Sequence, residues 1–515
     1  MQWTEEITEL ERRRAWSQEH GGTDAVRRQR AAGRGLARER IAGLVDEGSF
    51  REIGALTGEA EYDESNRVVA VTPANPITGR ARLDGRPVSI LADDFTLRGG
   101  SADSTILEKW TFMERHALEH RTPLIRLVDG AGGSVKTVDR YGATVIPGYD
   151  WPVDQQLATI PVVGVALGPC AGFAAVKVAM SHFSVMVSGT SQVFAAGPAL
   201  VTAAGLGEAS KEELGGSSIH ARGSGVVDNE AGSEQEALDH ARRFLSYLPG
   251  SALELPPVVE TDDDPDRADE LLADVIPRNN RQPYAMRTII GAVADAGSLF
   301  EVGPRHGQSQ ITALARIDGR SVGIVASDPM HYAGALTAAS AEKVTRFVDL
   351  CDTFHLPIVS FQDCPGVMIG RAAEEAGTIR KVLRTRMAIA QSTVPWCTFF
   401  VRRAFGVGGA LYGPLGRASV RYAWPSARWG SLPLEGGLEA AYRREIAAAD
   451  DPSVFRESLT QRYAALASPF RTAERFGVED IIDPRRTRPT LSEWVADSYR
   501  LLPETLGVKG RGYRP

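Results

Sequence analysis

Two short glycine loops carry the residues of this chain best suited to chemistry. One reads GPCAGFA at 168–174, after an apolar run at 161–167, and the other reads FGVGGAL at 405–411, after a run at 395–401. Glycine tolerates positive φ and lets a ligand approach the backbone. The first N–H groups of a helix have no partner within it, and a pair of them suits an enolate or another oxyanion. Neither loop is a GxGxxG opening a βαβ unit, and neither ends in GK[ST], which argues against dinucleotide and P-loop readings. None of the nine histidines lies in a nucleophile elbow. Two facing oxyanion holes would instead stabilise one developing negative oxygen on each of two substrates. Each donor is worth about 3–4 kcal/mol, and holding two reactants together contributes about 7–11 kcal/mol. The plainer alternative is that these glycines only permit tight turns and close strand–helix packing.

The elements that must position these loops repeat. GRPVSILADDFTLRGGS from Gly85 matches GRSVGIVASDPMHYAGA from Gly319 at an offset of 234. The same offset carries Asp94 onto Asp328, Gly100 onto Gly334, Glu108-Lys109 onto Glu342-Lys343, Asp129 onto Asp363, Gly132 onto Gly366 and Pro161 onto Pro395. In each half a short buried strand at 88–91 or 322–325 is followed by a helix. The helix stripe is Ile106, Trp110, Met113 and Ala117 in one half, and Val344, Phe347, Val348, Cys351 and Phe354 in the other. A second strand, at 124–128 or 358–361, ends in an aspartate and a glycine loop. Two related α/β domains are predicted, spanning 1–255 with charged N-terminal helices and 283–515 with the tail. The acidic stretch 256–282, containing ETDDDPDRADE, reads as a solvated linker.

A length of 515 residues, 43% of them hydrophobic and 24% charged, indicates a folded protein of more than one domain. A formal charge of -7 argues against a nucleic-acid binder but leaves room for a local phosphate site. Cys170, Cys351, Cys364 and Cys397 lie far apart in apolar surroundings without a CxxC pair, so they read as buried thiols rather than zinc ligands or disulfides. The charged, helical N-terminus and the lack of an 18-residue apolar run predict a soluble cytoplasmic protein without membrane attachment.

Several segments in order resemble the carboxyltransferase (β) subunit of biotin-dependent acyl-CoA carboxylases, the propionyl-, acetyl- and methylcrotonyl-CoA carboxylase family. They are GRGLARERI at 33–41, DGRPVSILADDFTLRGGS at 84–101, GPCAG at 168–172, EELGG at 212–216 and SGVVD at 224–228. QPYAMR at 282–287, FVDLCDTFHLPIVSFQDCPGVMIG at 347–370, RRAFGVGGA at 402–410 and YAWPSAR at 422–428 complete the series.

The resemblance implies a duplicated crotonase-like (ClpP/crotonase) superhelical β-β-α fold. It implies transfer of a carboxyl group from carboxybiotin, borne on a partner carrier, to the α-carbon or a vinylogous carbon of an acyl-CoA. ATP would enter only through a partner biotin carboxylase, because the chain shows neither an ATP-binding segment of that type nor a biotinylation tetrad. A homo-oligomer is expected, a hexamer with sites at dimer interfaces. Carried over, Gly172 and Phe173 would hold the thioester oxygen, and Gly409 and Ala410 the biotin ureido oxygen. Arg34, Arg38, Gly132, Gly133, Gly366 and Gly408 are candidate contacts for the bound groups. The basic stretch Arg27, Arg28, Arg30, Arg34, Arg38 and Arg40 is a candidate for CoA phosphates or else a solvated helix face, and Arg38 could equally pair with Glu39 or Asp46 in a structural network. Phe173 replaces the family's second glycine and Tyr412 its selectivity aspartate. The segment WGSLPLEGG at 429–437 also departs from the family. The alternatives are a malonyl-type acyl-CoA decarboxylase subunit and a non-catalytic scaffold homologue.

Overall fold

An Asp-Gly turn leads into the first buried strand of each half. Asp84 and Gly85 have φ of 51° and 76°, and Asp318 and Gly319 have 51° and 73°, the positive pair that a two-residue type I′ hairpin requires. An upstream carboxylate fastens each turn. Asp46 accepts from the N–H groups of Asp84 and Gly85, and Asp295 from those of Asp318 and Gly319. The computed structural model describes residues 2–144, 146, 148, 150–412, 418–510 and 512–515.

The chain divides into two units, Met1–Glu254 with Gly507–Pro515, and Leu255–Leu506. The strands of the first are β1 (Arg51–Ile53), β2 (Gly58–Tyr62), β3 (Val68–Pro73), β4 (Ile77–Leu83), β5 (Arg86–Ala92), β6 (Leu124–Gly130), β7 (Val162–Ala171), β8 (Phe183–Val187), β9 (Gln192–Phe194) and β10 (Asn229–Ala231). Those of the second are β11 (Phe300–Glu301), β12 (Gln310–Ile317), β13 (Arg320–Ser327), β14 (Ile358–Cys364), β15 (Trp396–Phe405), β16 (Ser419–Ala423), β17 (Arg428–Gly430) and β18 (Asp480–Ile481). The first sheet runs β1-β4-β5-β6-β7-β8-β10 with β9 beside β7, and the second runs β11-β12-β13-β14-β15-β16-β18 with β17 beside β15. The two topologies are the same.

The strands β5, β6 and β7, like β13, β14 and β15, pair in parallel and are buried along nearly their whole length. Both faces are covered, so these strands read as continuous Val/Ile/Leu runs rather than alternating ones. The repeat extends to their irregularities. The pairing of β6 with β7 shifts register between Val128 and Gly130, and that of β14 with β15 between Gln362 and Cys364. In both places the later strand takes two extra residues, with 167–169 of β7 facing Asp129 and 401–403 of β15 facing Asp363, so the same bulge recurs in both units.

The predicted stripes pack as core. Trp110, Met113 and Ala117 are buried on the helix Leu107–Glu119, and Val344, Phe347, Val348 and Cys351 on the helix Ala338–Thr353. The strand predicted at 161–167 continues through Ala171, so GPCA is strand rather than loop. Most of the 256–282 segment is exposed, but it is part of the second unit rather than a linker. Val258 bridges to Arg320, Leu272 is buried, and the Arg488 guanidinium takes the carbonyls of Asp263 and Asp264. One of its carboxylates, Asp263, also lies 3.5 Å from the buried Arg488 guanidinium, which composition alone does not reveal. The end of the tail likewise departs from the predicted 283–515 domain. Residues 507–515 belong to the first unit, where the Tyr513 hydroxyl donates to the His182 carbonyl at 3.3 Å. No helix among the described residues is long and apolar enough to cross a membrane.

Candidate active site

In the first unit β7 ends at Ala171, and Gly172, with φ of 55°, turns the chain into the helix Phe173–Ala179. A cavity of about 460 Å³ opens there, a volume typical of small-molecule sites. Its lining includes Gly132, Gly133, Trp110, Phe173, Ala174 and Lys177. The helix thus presents residues 173, 174 and 177 to one space, as its periodicity dictates.

Gly132 is required by packing. Its φ is 77°, and a Cβ there would stand 2.2 Å from the Ala171 carbonyl oxygen. The Gly132 carbonyl also accepts from the Ala102 N–H at 2.8 Å. Gly172 donates its own N–H to the Phe194 carbonyl at 3.0 Å, which leaves the first-turn positions of the helix to Phe173 and Ala174. The half-buried Phe173 ring meets Trp110 and Trp151 edge-on, with centroids 5.4 and 5.3 Å away. Trp151 is fixed in turn, since its Nε1 donates to Glu114 Oε2 at 3.1 Å and its ring lies under the Arg126 guanidinium. Arg126, Glu114 and Gln156 form a buried hydrogen-bonded cluster behind this wall. The wall was not visible in the sequence, because Trp110, Trp151 and Phe173 lie on separate segments.

The second unit repeats the arrangement. β15 ends at Phe405, Gly406 has φ of 59°, and the helix Gly406–Ala410 follows. Gly366 accepts from the Leu336 N–H, as Gly132 does from Ala102. Gly406, Val407 and Gly408 occupy the positions of Gly172, Phe173 and Ala174. Gly409 and Ala410, the expected donor pair, lie at the far end of this short helix. Their N–H groups fall beyond its N-terminal set. Gly408 and Gly409 are close-packing glycines, since an added Cβ would stand 2.8 Å from Gly366 and 2.4 Å from Ala404. Tyr412 is fully buried beside Gln362 and Cys364, and burial raises its phenol.

Each unit also buries an aspartate at its bulge. Asp129 accepts from Gln29, Arg34 and Arg40 at 3.1, 2.9 and 2.9 Å. Arg40 reaches further, to the Leu167 carbonyl at 2.8 Å and to Glu234 at 2.5 Å. Asp363 accepts from Arg402 Nε at 2.9 Å and Arg403 Nε at 2.6 Å, and the Arg402 guanidinium lies over the Tyr284 ring. Motifs at 33–41, 282–287 and 402–410 are thereby explained as the shells of two buried carboxylates.

Of the phosphate candidates, Arg34 is bound to Asp129. Arg38 pairs with Glu52 at 2.7 Å rather than with Glu39 or Asp46, and it also donates to the Ser17 carbonyl. Lys109 is largely buried next to this pair, and burial lowers its amine to about 8. All four cysteines are buried thiols. Burial raises Cys170, Cys351 and Cys397, and pushes Cys364 up to about 11. Cys364 Sγ lies 3.4 Å from the Gly366 carbonyl. Serine can keep that contact, so Cys364→Ser is expected to cost about 1 kcal/mol of stability and to change steady-state turnover less than about threefold.

The two sheets, with matched strand order and matched glycine turns, define a duplicated crotonase-like α/β fold. The chain belongs to the carboxyl transferase domain family, whose model matches residues 28–497. It is 35% identical over 497 residues to the propionyl-CoA carboxylase carboxyltransferase subunit of Haloferax mediterranei, covering 95% of each chain. It is 34% identical to the methylmalonyl-CoA decarboxylase subunit alpha of Veillonella parvula, covering 92% of this chain and 91% of that one. The solved transcarboxylase 12S structure, a hexamer with methylmalonyl-coenzyme A and methylmalonic acid bound, matches with a TM-score of 0.85 at 30% identity. That match covers 99% of this chain and 96% of the other.

Proposed function

We propose that this chain is the carboxyltransferase subunit of a biotin-dependent acyl-CoA carboxylase. The observation that carries the reading is the cavity at the start of the helix Phe173–Ala179, in a chain of this family. The acyl thioester enters there, and the first-turn N–H groups of Phe173 and Ala174 hold its oxygen as it becomes an enolate oxygen. Carboxybiotin enters as a second substrate, on a carrier chain supplied by a partner biotin carboxylase that consumes the ATP. The loop of the second unit fits a flat ureido group. Gly366 and Gly406 both have positive φ, and an added Cβ would make only ordinary van der Waals contacts, at 3.7 and 3.4 Å, so backbone conformation rather than collision marks these two positions. The N–H groups of Val407 and Gly408 then take the role assigned to Gly409 and Ala410 from sequence.

The chemistry balances without a protein nucleophile. The N–C bond of carboxybiotin breaks to release CO2, and the freed ureido nitrogen takes the acyl α-proton. The enolate then forms the new C–C bond to CO2. By likeness to the transcarboxylase, the working form is a hexamer, with the acyl site of one copy completed by the biotin site of another.

Incubating the chain with free biotin and a panel of malonyl-type CoA esters tests the reading through the reverse reaction. At least one ester should lose its carboxyl group in a biotin-dependent way. Silence across the panel, with carrier and biotin carboxylase supplied, overturns it. Likeness to the Veillonella subunit favours one second reading, a decarboxylase. CO2 release that needs no biotin, or that needs a membrane pump subunit, would select that reading.

Phe173 sets the size of the acyl space in this scheme. Phe173→Gly is expected to raise kcat/KM for longer acyl chains over shorter ones by about 10-fold, the weight of one to two buried methylenes. Paired assays on two linear acyl-CoAs would read it.

A further inference from the structure

Lys177 and Asp93 form an ion pair that the transfer chemistry does not use. Lys177 Nζ lies 2.7 and 2.6 Å from the two carboxylate oxygens of Asp93. Both side chains are largely buried, at 12% and 5% exposure. Both line the cavity that takes the acyl group. The pair joins two elements, because Asp93 follows the end of β5 and Lys177 stands one helical turn beyond Phe173.

Burying two charges side by side is costly, and an apolar pair of similar volume is often as stable or more so. Among the described residues the ammonium has no hydrogen-bond partner other than Asp93. An ammonium carries three donors and a carboxylate about four acceptor sites. Donor and acceptor capacity therefore remain side by side at a cavity whose lining also includes Trp110, Phe173 and Leu107. Among the described residues, the charged ones lining it are Asp93, Glu108 and Lys177, an excess of negative charge that disfavours a second carboxylate on the acyl chain.

Resting on the acyl-CoA reading above, we propose that Lys177 and Asp93 select an acyl group carrying a neutral hydroxyl beyond its α-carbon. The hydroxyl oxygen accepts from Lys177 while its O–H donates to Asp93, and the aromatic wall covers the carbon chain. A purely aliphatic chain of the same length leaves the spare donor and acceptor capacity of the pair unmet, and a polar site rejects such an analogue.

The probes are 3-hydroxybutyryl-CoA and butyryl-CoA, which differ by the hydroxyl alone, with binding followed by calorimetry on the intact chain. The hydroxylated ester should bind about 10-fold more tightly, as one hydrogen bond to a charged group allows. Lys177→Met should bring the ratio within about twofold. Should that variant fail to fold with Asp93 left alone, the double variant Asp93→Leu/Lys177→Met removes both charges together and should show the same loss. Equal or tighter binding of butyryl-CoA to the unaltered protein overturns the proposal, as does an unchanged ratio in a folded variant. Failure of the carboxyltransferase reading shows differently, as missing biotin-dependent turnover while both thioesters still bind. The binding ratio then still decides the role of Lys177.

Discussion

Asp129→Ala is expected to destabilise the first unit by about 3–5 kcal/mol, the cost of removing one partner from a buried ion cluster. The loss is large because the partners stay. Arg40 is 3% exposed and Arg34 10%, so neither guanidinium can turn to water without moving backbone. Glu234 would still hold Arg40 but has nothing to offer Arg34. A chain of two units need not unfold in one step, so the effect should be read locally, as lost hydrogen-exchange protection of β6 and β7 with β14 and β15 unchanged. Asp363→Ala should give the mirror result. Protection of β6 and β7 equal to that of the unaltered chain would show that the cluster contributes specificity rather than stability.

Gly132→Val is expected to reduce turnover of any accepted acyl-CoA by at least about 100-fold, the scale associated with a misplacement of about 1 Å in a catalytic site. The valine Cβ would begin 2.2 Å from the Ala171 carbonyl oxygen, on a backbone with φ of 77° that a β-branched residue avoids. Either the Gly132 loop or the end of β7 has to move, and both border the cavity. Gly366→Ala is the informative comparison. A Cβ there meets nothing nearer than 3.7 Å, although φ is 134°. Only conformational strain remains, and a much smaller loss should follow. Equal losses at the two positions would show that strain, not collision, governs both loops.

The duplicated architecture was legible because an ungapped 234-residue offset constrains strands, turns and helix stripes together. The site was legible in place but less so in detail. Gly172 and Gly406 are related by that offset, whereas motif likeness alone pointed to Gly409 and Ala410, two residues beyond the Val407 and Gly408 proposed above. A helix of five residues leaves no periodicity from which to read its start. The basic segment at 27–40 misled in another way. Arginines suited to phosphates are equally suited to buried carboxylates, and sequence does not show that Asp129, Gln29 and Glu234 lie within reach. Trp151, Glu114 and Arg126 were missed for the same reason, since tertiary structure alone brings them behind Phe173. The acidic stretch near 263 was misjudged because its partner, Arg488, comes more than two hundred residues later.

The bulges of β7 and β15, opposite Asp129 and Asp363, have a bearing on how the two halves can diverge. A strand alternates its sides with every residue, so two extra residues restore the original alternation while lengthening the strand. Each bulge therefore works as a spacer that sets where the glycine turn behind it begins, independently of the residues that fill the turn. With that start held in the strand, the turn can carry different residues at equivalent places, as it does with Phe173 and Val407. Insertions after the turn are tolerable on this logic. A single deletion within 167–169 or 401–403 is not, because it would invert the alternation of the strand end that carries the turn.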